Sequence, residues 1–252
     1  MPEIRQCALP QETKLLAICC TFRRPAMLKN MLESFKKTRS ESTEIVIYLH
    51  DDDPHLEEYK EVVKNEYRII GQHRTLQEVI NYVTFDVYPK VPYYQIICDD
   101  HLYHTVEWDT ILIENLERRA NGWGFACGRD GINNDNWELC QHPSAEIWSW
   151  KFCNTIGYVY PRSFKHTGMD FYTKNLGLAI NGLVFVPEVR IEHLWYGGCN
   201  KPMDDNLKEK YAAKQFDEGE TIFKKWVQEE RQTAIDKINK EKELENERQK
   251  TA

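Results

Sequence analysis

Three short apolar runs that each end in polar residues constrain the fold of this chain more than any other feature. Each run has the length of a buried strand, and helix-like segments separate the runs. The runs extend from Leu15 to Cys20, from Glu44 to Leu49 and from Tyr94 to Cys98. Strands that alternate with helices favour a mostly parallel sheet, in which ligands bind at the carboxyl ends of the strands. The sequence therefore predicts an α/β domain whose polar clusters meet at one edge of the sheet.

Helical periodicity fills the segments between these runs. Apolar residues recur on one helical face between Ala26 and Lys37, and Pro25 suits the start of that helix because its missing N–H does no harm there. That face comprises Met27, Leu28, Met31, Leu32 and Phe35. The other predicted elements are a strand at Arg68 to Ile70, a helix from about Thr75 to Val83, and strands at Leu183 to Val186 and Val189 to Ile191.

The length and the distribution of charge predict one domain and an extension. With 252 residues the chain is long enough for one buried domain and an appendage. We predict one α/β domain at residues 1–203. Residues 204–252 are expected to form a charged C-terminal helix that is solvated or frayed beyond Asn239. Its docking stripe would comprise Ile222, Phe223, Trp226, Val227, Ile235 and Ile238.

Composition sets the expected compartment and disfavours several classes of protein. No apolar run approaches the roughly 20 residues of a membrane-spanning helix, and the charged N-terminus lacks the apolar core of a secretory signal. We therefore expect a cytoplasmic protein with no membrane span. The eight cysteines form no CxxC pair, which disfavours a zinc knuckle or a thioredoxin-like motif. The net charge of −7 disfavours non-specific binding to nucleic acid.

Asp99, Asp100 and His101 follow the third apolar run and form a candidate metal site. A hard divalent cation such as Mn²⁺ or Mg²⁺ prefers oxygen ligands, and it can turn a diphosphate into a better leaving group. Carboxylates at a strand end provide such a site. The alternative is that one aspartate caps the following turn while the others are solvated.

Asp51, Asp52 and Asp53 form a second acidic cluster just past the second run. Their carboxylates can accept hydrogen bonds from the ribose or the base of a nucleotide. The alternative is a solvated turn ahead of Pro54, because aspartate is favoured in turns.

Three arginines precede predicted helices near the strand ends. Arg23 and Arg24 follow the first run, where a guanidinium group can pair with phosphate or stack on a base. Arg74 can do the same. Ordinary surface arginine is the alternative, and it is favoured for at least one of Arg23 and Arg24.

Two residues in the second half are candidates for chemistry. His193 ends a predicted strand, where an imidazole can complete the coordination of a Mn²⁺-like ion or serve as a structural residue. The segment from Trp195 to Gly198 suits a closing loop. Asp170 precedes an apolar helix candidate. It can deprotonate an acceptor hydroxyl in a transferase that inverts configuration, or it can cap the helix.

The order of these pieces resembles the GT-A fold glycosyltransferases, and within them the family-two-like inverting enzymes, especially a small group often encoded by bacteriophages and bacteria. The resemblance covers about Lys14 to Asp204. The motifs that carry it are Thr21-Phe22-Arg23-Arg24-Pro25, Asn81, Ile97-Cys98-Asp99-Asp100-His101, Thr105 with Trp108-Asp109, Gly157-Tyr158-Val159-Tyr160-Pro161, His166 with Asp170, and Pro187-Glu188-Val189-Arg190-Ile191-Glu192-His193. Each motif alone is weak, whereas their shared order and spacing are specific.

The resemblance implies a single GT-A-like, Rossmann-related domain at residues 1–203, with a nucleotide-binding half at 14–110 and an acceptor-side half at 111–203. It also implies a metal-dependent inverting glycosyltransferase with a nucleotide-sugar donor, for which a UDP-sugar is the favoured candidate. The residues from Asp99 to His101 would occupy the DxD position that binds the metal and the donor diphosphate. A strict DxD motif from Asp99 would place His101 third, so the choice of ligand within this tripeptide stays open. Trp195 stands where a further histidine is expected.

The resemblance also implies roles for single residues. The cation would be held by Asp100, His101 and His193, and Asp170 would be the catalytic base. The residues implied at the donor are Thr21, Arg23, Arg24, Asp51, Asp52, Asp53, Arg74, Asn81, Asp99 and Asp100.

The acceptor and the reaction class have alternatives. Phage-encoded relatives imply a hydroxymethylated base in DNA, which aromatic side chains can hold once it is extruded, and a saccharide is equally compatible. The tryptophans of the second half are Trp137, Trp148, Trp150 and Trp195. Nucleotidyl transfer also uses strand-end carboxylates and a metal, but the turn from Thr21 to Pro25 contains no glycine. A non-catalytic nucleotide-sugar binder is the third alternative.

Overall fold

Strands and helices alternate over residues 15–97, as the sequence predicts for the first half of the chain. The computed structural model describes residues 3–5, 8–131, 143–165, 167–194, 208 and 215–251. The strands are β1 (Glu3–Arg5), β2 (Leu15–Thr21), β3 (Thr43–His50), β4 (Tyr67–Gly71), β5 (Tyr93–Ile97), β6 (His101–Tyr103), β7 (Phe125–Arg129), β8 (Ile147–Ser149) and β9 (Leu183–His193). The helices are α1 (Pro25–Thr38), α2 (Leu56–Val62), α3 (Leu76–Tyr82), α4 (Trp108–Ala120), α5 (Trp150–Ile156), α6 (Met169–Ala179), α7 (Gln215–Glu229) and α8 (Arg231–Thr251). A π-helical turn, Val83–Val87, follows α3.

The strands form one sheet with a parallel centre. Its order is β1-β4-β3-β2-β5-β8-β7-β9-β6. Strands β4, β3, β2 and β5 run parallel to one another, as do β7 and β9. Antiparallel pairs add β1 at one edge, β6 at the other, and β8 between β5 and β7. The predicted α/β domain with a parallel central sheet is confirmed, and its parallel strands end at a common edge.

Local signals account for the helix starts in the first half. Pro25 is the first residue of α1, as predicted. Thr75 caps α3: its hydroxyl accepts a hydrogen bond from the backbone of Glu78, whose side chain bonds back to the cap. Such a capping box satisfies two backbone donors that the helix cannot satisfy by itself.

The prediction of two separate strands near residues 183–191 is wrong, because they form the single strand β9. The register of the pairing between β7 and β9 shifts between Cys127 and Arg129. Cys127 faces Phe185, whereas Arg129, two residues later, faces Arg190, so that β9 contains extra residues at this point. An irregularity of this kind accommodates Pro187, which cannot donate to the ladder. Beyond it the strand continues and pairs with β6.

Two hydrophobic clusters cover the two faces of the sheet. Alternate residues of β2 point to opposite faces, so that Leu16 and Ile18 join one cluster and Leu15 and Ala17 join the other. The cluster with Leu16 also contains Trp226, Ile235 and Ile238 from the C-terminal helices. Helices α7 and α8 therefore pack on the sheet face that α3, α5 and α6 also cover.

One expectation for the C-terminal helix is wrong. Val227 is 36% exposed and is not part of the docking stripe. The segment beyond Asn239 is solvated, which is one of the two predicted states, because its side chains are exposed or half-buried. It is not frayed, since α8 continues to Thr251. Polar contacts hold it: Glu245 accepts hydrogen bonds from Trp123 Nε1 at 2.6 Å and from Lys151 Nζ at 3.1 Å. None of the helices in the described part of the chain combines the length and apolar character that crossing a bilayer requires.

Candidate functional site

Two buried aspartates at the end of β5 share one arginine. Arg24 Nη1 lies 3.3 Å from Asp99 Oδ1 and 3.5 Å from Asp100 Oδ2. Asp99 also accepts a hydrogen bond from Thr21 Oγ1 at 2.6 Å. The hydroxyl of Tyr59 lies 2.9 Å from the same Thr21 oxygen and accepts the backbone N–H of Arg24 at 2.6 Å. The ends of β2 and β5 are thus joined by one polar network.

Strand pairing brings two histidines to the same place. His101 in β6 faces His193 in β9, and their ring centroids are 4.7 Å apart. His193 Nε2 lies 3.3 Å from Asp100 Oδ1, while the backbone N–H of Leu194 donates to the Asp100 carbonyl at 2.8 Å. The structure therefore brings together all three residues predicted to hold the cation.

Burial and mutual charge set the protonation of this group. Burial and the neighbouring Asp100 raise the pKa of Asp99 to about 6. Burial opposes ionisation of Asp100, but His193 outweighs it and holds the pKa of Asp100 below its ordinary value. Burial and His193 lower the pKa of His101 to about 3. Asp100 is therefore a carboxylate and His101 a neutral imidazole at pH 7, which are the states that bind a cation. Burial lowers the pKa of His193, but Asp100 outweighs burial and raises it, so that His193 would have to release a proton in order to bind a cation.

The buried side chains at the end of β5 fit a divalent cation. Candidate ligand atoms of Cys98, Asp100 and His101 lie within 4.8 Å of one another. His101 Nε2 is buried and has no hydrogen-bond partner among the described residues. A mixed set of imidazole nitrogen and carboxylate oxygen donors suits a transition ion such as Mn²⁺ better than Mg²⁺, which prefers oxygen ligands alone.

The acidic cluster after β3 divides into two kinds of residue. Asp53 is buried and organises the turn: its oxygens accept the backbone N–H groups of Arg23 at 2.7 Å and His55 at 2.8 Å. Asp51 and Asp52 are exposed. The two exposed carboxylates are therefore the ones with surface open to a ligand.

The predicted arginines lie against aromatic rings, whereas Asn81 has a structural role. The guanidinium group of Arg23 lies 4.9 Å from the Phe22 ring centroid, and that of Arg74 lies 4.4 Å from the Tyr82 centroid. The Asn81 side chain donates to the carbonyl of Tyr160 at 2.8 Å and accepts the Val159 N–H at 2.7 Å. Asn81 thereby joins α3 to the 159–160 segment, and we do not assign it to the donor site.

Asp170 lies in the first turn of α6 and is half-buried. The alternative that it caps this helix is wrong, because Gly168 is the cap and has φ +83°. A Cβ at Gly168 would lie 2.8 Å from the carbonyl oxygen of Gly219 in α7, so this position requires glycine. His166, Trp137 and Trp195, together with the proposed boundary at residues 203–204, lie outside the described residues.

Glu146 is a candidate residue that sequence reasoning missed. It is 3% exposed, and its Oε1 accepts hydrogen bonds from Tyr160 OH at 2.6 Å and from Thr173 Oγ1 at 3.0 Å. Burial raises its pKa to about 7, the two hydrogen bonds act against this rise, and the nearby Asp170 adds to it. No motif surrounds Glu146 in the sequence, so only the fold reveals that α6 places it near Asp170.

The expectation that Trp148 offers an indole face to an acceptor is wrong. The residue is fully buried, and its ring stacks on Tyr94 with centroids 6.4 Å apart. Trp150 is half-buried and contacts Phe85 and Tyr94. These two indoles therefore belong to the core between the sheet and its helices.

Neither a protein-family model nor a curated protein sequence matches the chain. Solved structures do match by shape. The mannosyltransferase PcManGT from Pyrobaculum calidifontis, in complex with GDP-Man and Mn²⁺, has a TM-score of 0.56 at 11% identity, over 92% of this chain and 75% of that one. S. aureus TarS 1–349 in complex with UDP-GlcNAc has a TM-score of 0.53 at 10% identity, over 78% of this chain and 61% of that one.

A third structure belongs to a different class of enzyme. The 4-diphosphocytidyl-2C-methyl-D-erythritol synthase from Anaerococcus prevotii has a TM-score of 0.50 at 10% identity, over 81% of this chain and 97% of that one. Because the sequence identities are low, the three matches are evidence for the architecture alone. Together with the strand order, they show that the chain has a GT-A-like fold.

Proposed function

We propose that this protein is a metal-dependent, inverting glycosyltransferase that uses a nucleotide diphosphate sugar. The observation that carries the proposal is the convergence of Arg24, Asp99, Asp100, His101 and His193 at the carboxyl edge of the sheet. These residues come from α1's N-terminus, the end of β5, β6 and β9. Such a grouping of one guanidinium, two carboxyl groups and two imidazoles suits a cation bound to a diphosphate.

Each residue at this edge would have a separate task toward the donor. Asp100, His101 and His193 would hold the cation, whose chemistry is to neutralise the charge that develops on the leaving diphosphate. Arg24 would pair with phosphate oxygens, and Thr21 would keep Asp99 oriented through their hydrogen bond. Exposed Asp51 and Asp52 would face the nucleoside, and a UDP-sugar is our favoured donor.

Asp170 is proposed as the base that takes the proton of the acceptor hydroxyl. Half-buried at the start of α6, it lies near the second carboxyl group, Glu146. A general base contributes about 10²- to 10⁴-fold to a rate.

The acceptor would be a saccharide or a hydroxymethylated base in DNA. A gel shift with hydroxymethyl-containing and plain duplexes at low salt distinguishes these two acceptors. If the protein binds neither duplex, DNA is excluded as the acceptor.

Asp170→Asn tests the proposed mechanism. We expect release of nucleoside diphosphate from a panel of nucleotide sugars with Mn²⁺ to fall by at least about 100-fold, because the variant lacks the base. The dissociation constant for the donor should change less than about twofold, since the substitution lies outside the proposed donor site. Asp236→Asn on α8 is the matched control and should keep full activity. Full activity of Asp170→Asn would exclude it as the base.

Nucleotidyl transfer remains the second candidate, because the Anaerococcus synthase shares the fold. It predicts release of pyrophosphate from a nucleoside triphosphate, whereas the glycosyltransferase predicts release of a nucleoside diphosphate from a nucleotide sugar. The turn from Thr21 to Pro25 contains no glycine, which disfavours the phosphate loop of a nucleotidyltransferase. Tight binding of a nucleotide sugar with neither product would indicate a non-catalytic binder.

A further inference from the structure

A second group of metal-ligating side chains lies at the ends of β3 and β4. Candidate ligand atoms of His50, Asp52 and His73 lie within 4.8 Å of one another. His73 Nδ1 is 3.3 Å from Asp52 Oδ1, and the ring centroids of His50 and His73 are 4.3 Å apart. His50 is buried, whereas Asp52 and His73 have half-exposed side chains. An ion can therefore reach the group from solvent.

The backbone holds this group in place. Strands β3 and β4 pair in parallel so that His50 faces Gly71, and the N–H of Asp51 donates to the Gly71 carbonyl at 2.8 Å. The Phe22 ring packs edge-on against both imidazoles, with centroids 5.4 Å from His50 and 5.2 Å from His73. One ligand is thus fixed by burial, and the other two stand on adjoining turns.

The chemistry of the group suits a borderline transition ion. The ring of His50 is buried at the end of β3. Its Nε2 lies 3.3 Å from Cys20 Sγ, while Nδ1 accepts the backbone N–H of Arg74 at 3.4 Å. In the tautomer that donates Nε2–H to the sulfur, an ion bound at Nδ1 would displace this long hydrogen bond. Two imidazoles and one carboxylate form a ligand set known for Zn²⁺.

The required movements are small. Ligands at about 2.1 Å from a tetrahedral ion are roughly 3.4 Å apart. His73 Nδ1 and Asp52 Oδ1 already lie 3.3 Å apart, and all three ligand atoms lie within 4.8 Å of one another, so that none of the pairs has to approach by more than about 1.4 Å. The side chains of Asp52 and His73 can make this change because both are about half exposed.

The group is distinct from the cation site at Asp100. In the sheet, β2 separates β3 from β5. Neighbouring strands are about 4.8 Å apart, which places the two groups on the order of 10 Å from each other. Two-metal centres hold their ions roughly 4 Å apart, so these groups do not form one centre.

We propose that His50, Asp52 and His73 form a second cation site, selective for Zn²⁺-like transition ions, next to the acidic turn after β3. If the proposed function holds, this turn is where the donor nucleoside lies, so that Zn²⁺ at the site competes with the nucleotide. This second statement rests on the proposed function, and the first does not.

Zinc titration calorimetry on the full chain tests the site. His73→Ala should bind about one equivalent of Zn²⁺ fewer than the wild type, because it lacks an exposed ligand. His55→Ala is the matched control: His55 is an exposed histidine in the neighbouring turn that is not part of the group, and its loss should leave the stoichiometry unchanged. Equal zinc binding by the two variants would overturn the proposal, whatever happens at Asp100.

Nucleotide competition tests the consequence separately. Zn²⁺ should weaken UDP binding more in the wild type and in His55→Ala than in His73→Ala. Chelation of Zn²⁺ by free UDP affects all three proteins equally, so it does not contribute to this difference. If His73→Ala loses a zinc equivalent but Zn²⁺ weakens UDP binding equally in all three proteins, the competition is refuted and the zinc site is retained. If neither UDP nor GDP binds to any variant while the zinc difference persists, the proposed function fails and the zinc site stands.

Discussion

Among single residues, Glu146 is a carboxyl group that the fold places out of contact with water. Its hydrogen bonds come from Tyr160 and from Thr173, one turn after Asp170 on α6. An ordinary carboxyl group ionises near pH 4.5, whereas burial raises the pKa of Glu146 to about 7. Between these values the folded protein keeps a proton that the unfolded chain has released. The free energy of unfolding is therefore highest, for this residue, below about pH 4.5 and declines as the pH rises through 7.

Glu146→Gln should remove this decline. Glutamine keeps an oxygen that accepts from Tyr160 and Thr173 but carries no titratable proton. We expect the variant to gain up to about 3 kcal/mol relative to the wild type between pH 4.5 and pH 8, the equivalent of the change in pKa. Urea unfolding at both pH values measures this gain. Glu188→Gln, at an exposed position, should show no such gain. A parallel response of the two variants would mean that Glu146 ionises normally.

At the scale of elements, agreement with the sequence depends on how local the signals are. The first strands and α1 match their predicted bounds closely because apolar runs, Pro25 and the Thr75 cap act within a few residues. Strand β9 was divided wrongly because its continuity depends on pairing with β7 and β6, which Pro187 conceals. For helix α8 beyond Asn239 the sequence allows a solvated or a frayed segment, because polar docking leaves no apolar stripe that would distinguish the two.

Glu245→Ala tests the polar docking of α8. The substitution leaves Trp123 Nε1 and Lys151 Nζ without their acceptor, so we expect a loss of about 1–3 kcal/mol in the free energy of unfolding. Glu247→Ala, two residues further along the same helix, should cost less than about 0.5 kcal/mol. Denaturant unfolding gives both values. An equal effect of the two substitutions would show that α8 is held by its apolar residues alone.

At the scale of the whole molecule, the candidate site joins residues that are far apart in the chain. Parallel strands predicted from the sequence explain why Thr21 and Asp99 meet. The approach of His193 to Asp100 depends on the β6–β9 pair, and periodicity contains no information about that partner. The resemblance to glycosyltransferases implied that His193 is a ligand, whereas no sequence motif indicated Glu146 or the pairing of His50 and His73 with Asp52. Long-range pairing is therefore the part of the site that this sequence leaves open.

Binding of a cation and a nucleotide should stabilise the entire fold. A ligand at 100 times its dissociation constant contributes about 2.7 kcal/mol, which raises the melting temperature of a chain this size by about 5 to 10 °C. We expect such a shift when Mn²⁺ and UDP are added together, and we expect Asp100→Asn to lose most of it. Thermal denaturation followed by circular dichroism measures the shift. Retention of the full shift in Asp100→Asn would place the ligands elsewhere.

The bridge from Arg24 to Asp99 and Asp100 has a consequence for the order of binding. The guanidinium group acts as a built-in counter-ion that keeps two adjacent acids together. A cation that binds here would neutralise the two carboxyl groups in place of Arg24. The Arg24 side chain could then pair with a negatively charged ligand. Binding of the ion before the nucleotide would thus make the guanidinium group of Arg24 available to phosphate. A nucleotide that binds first would meet an Arg24 that is still paired with Asp99 and Asp100.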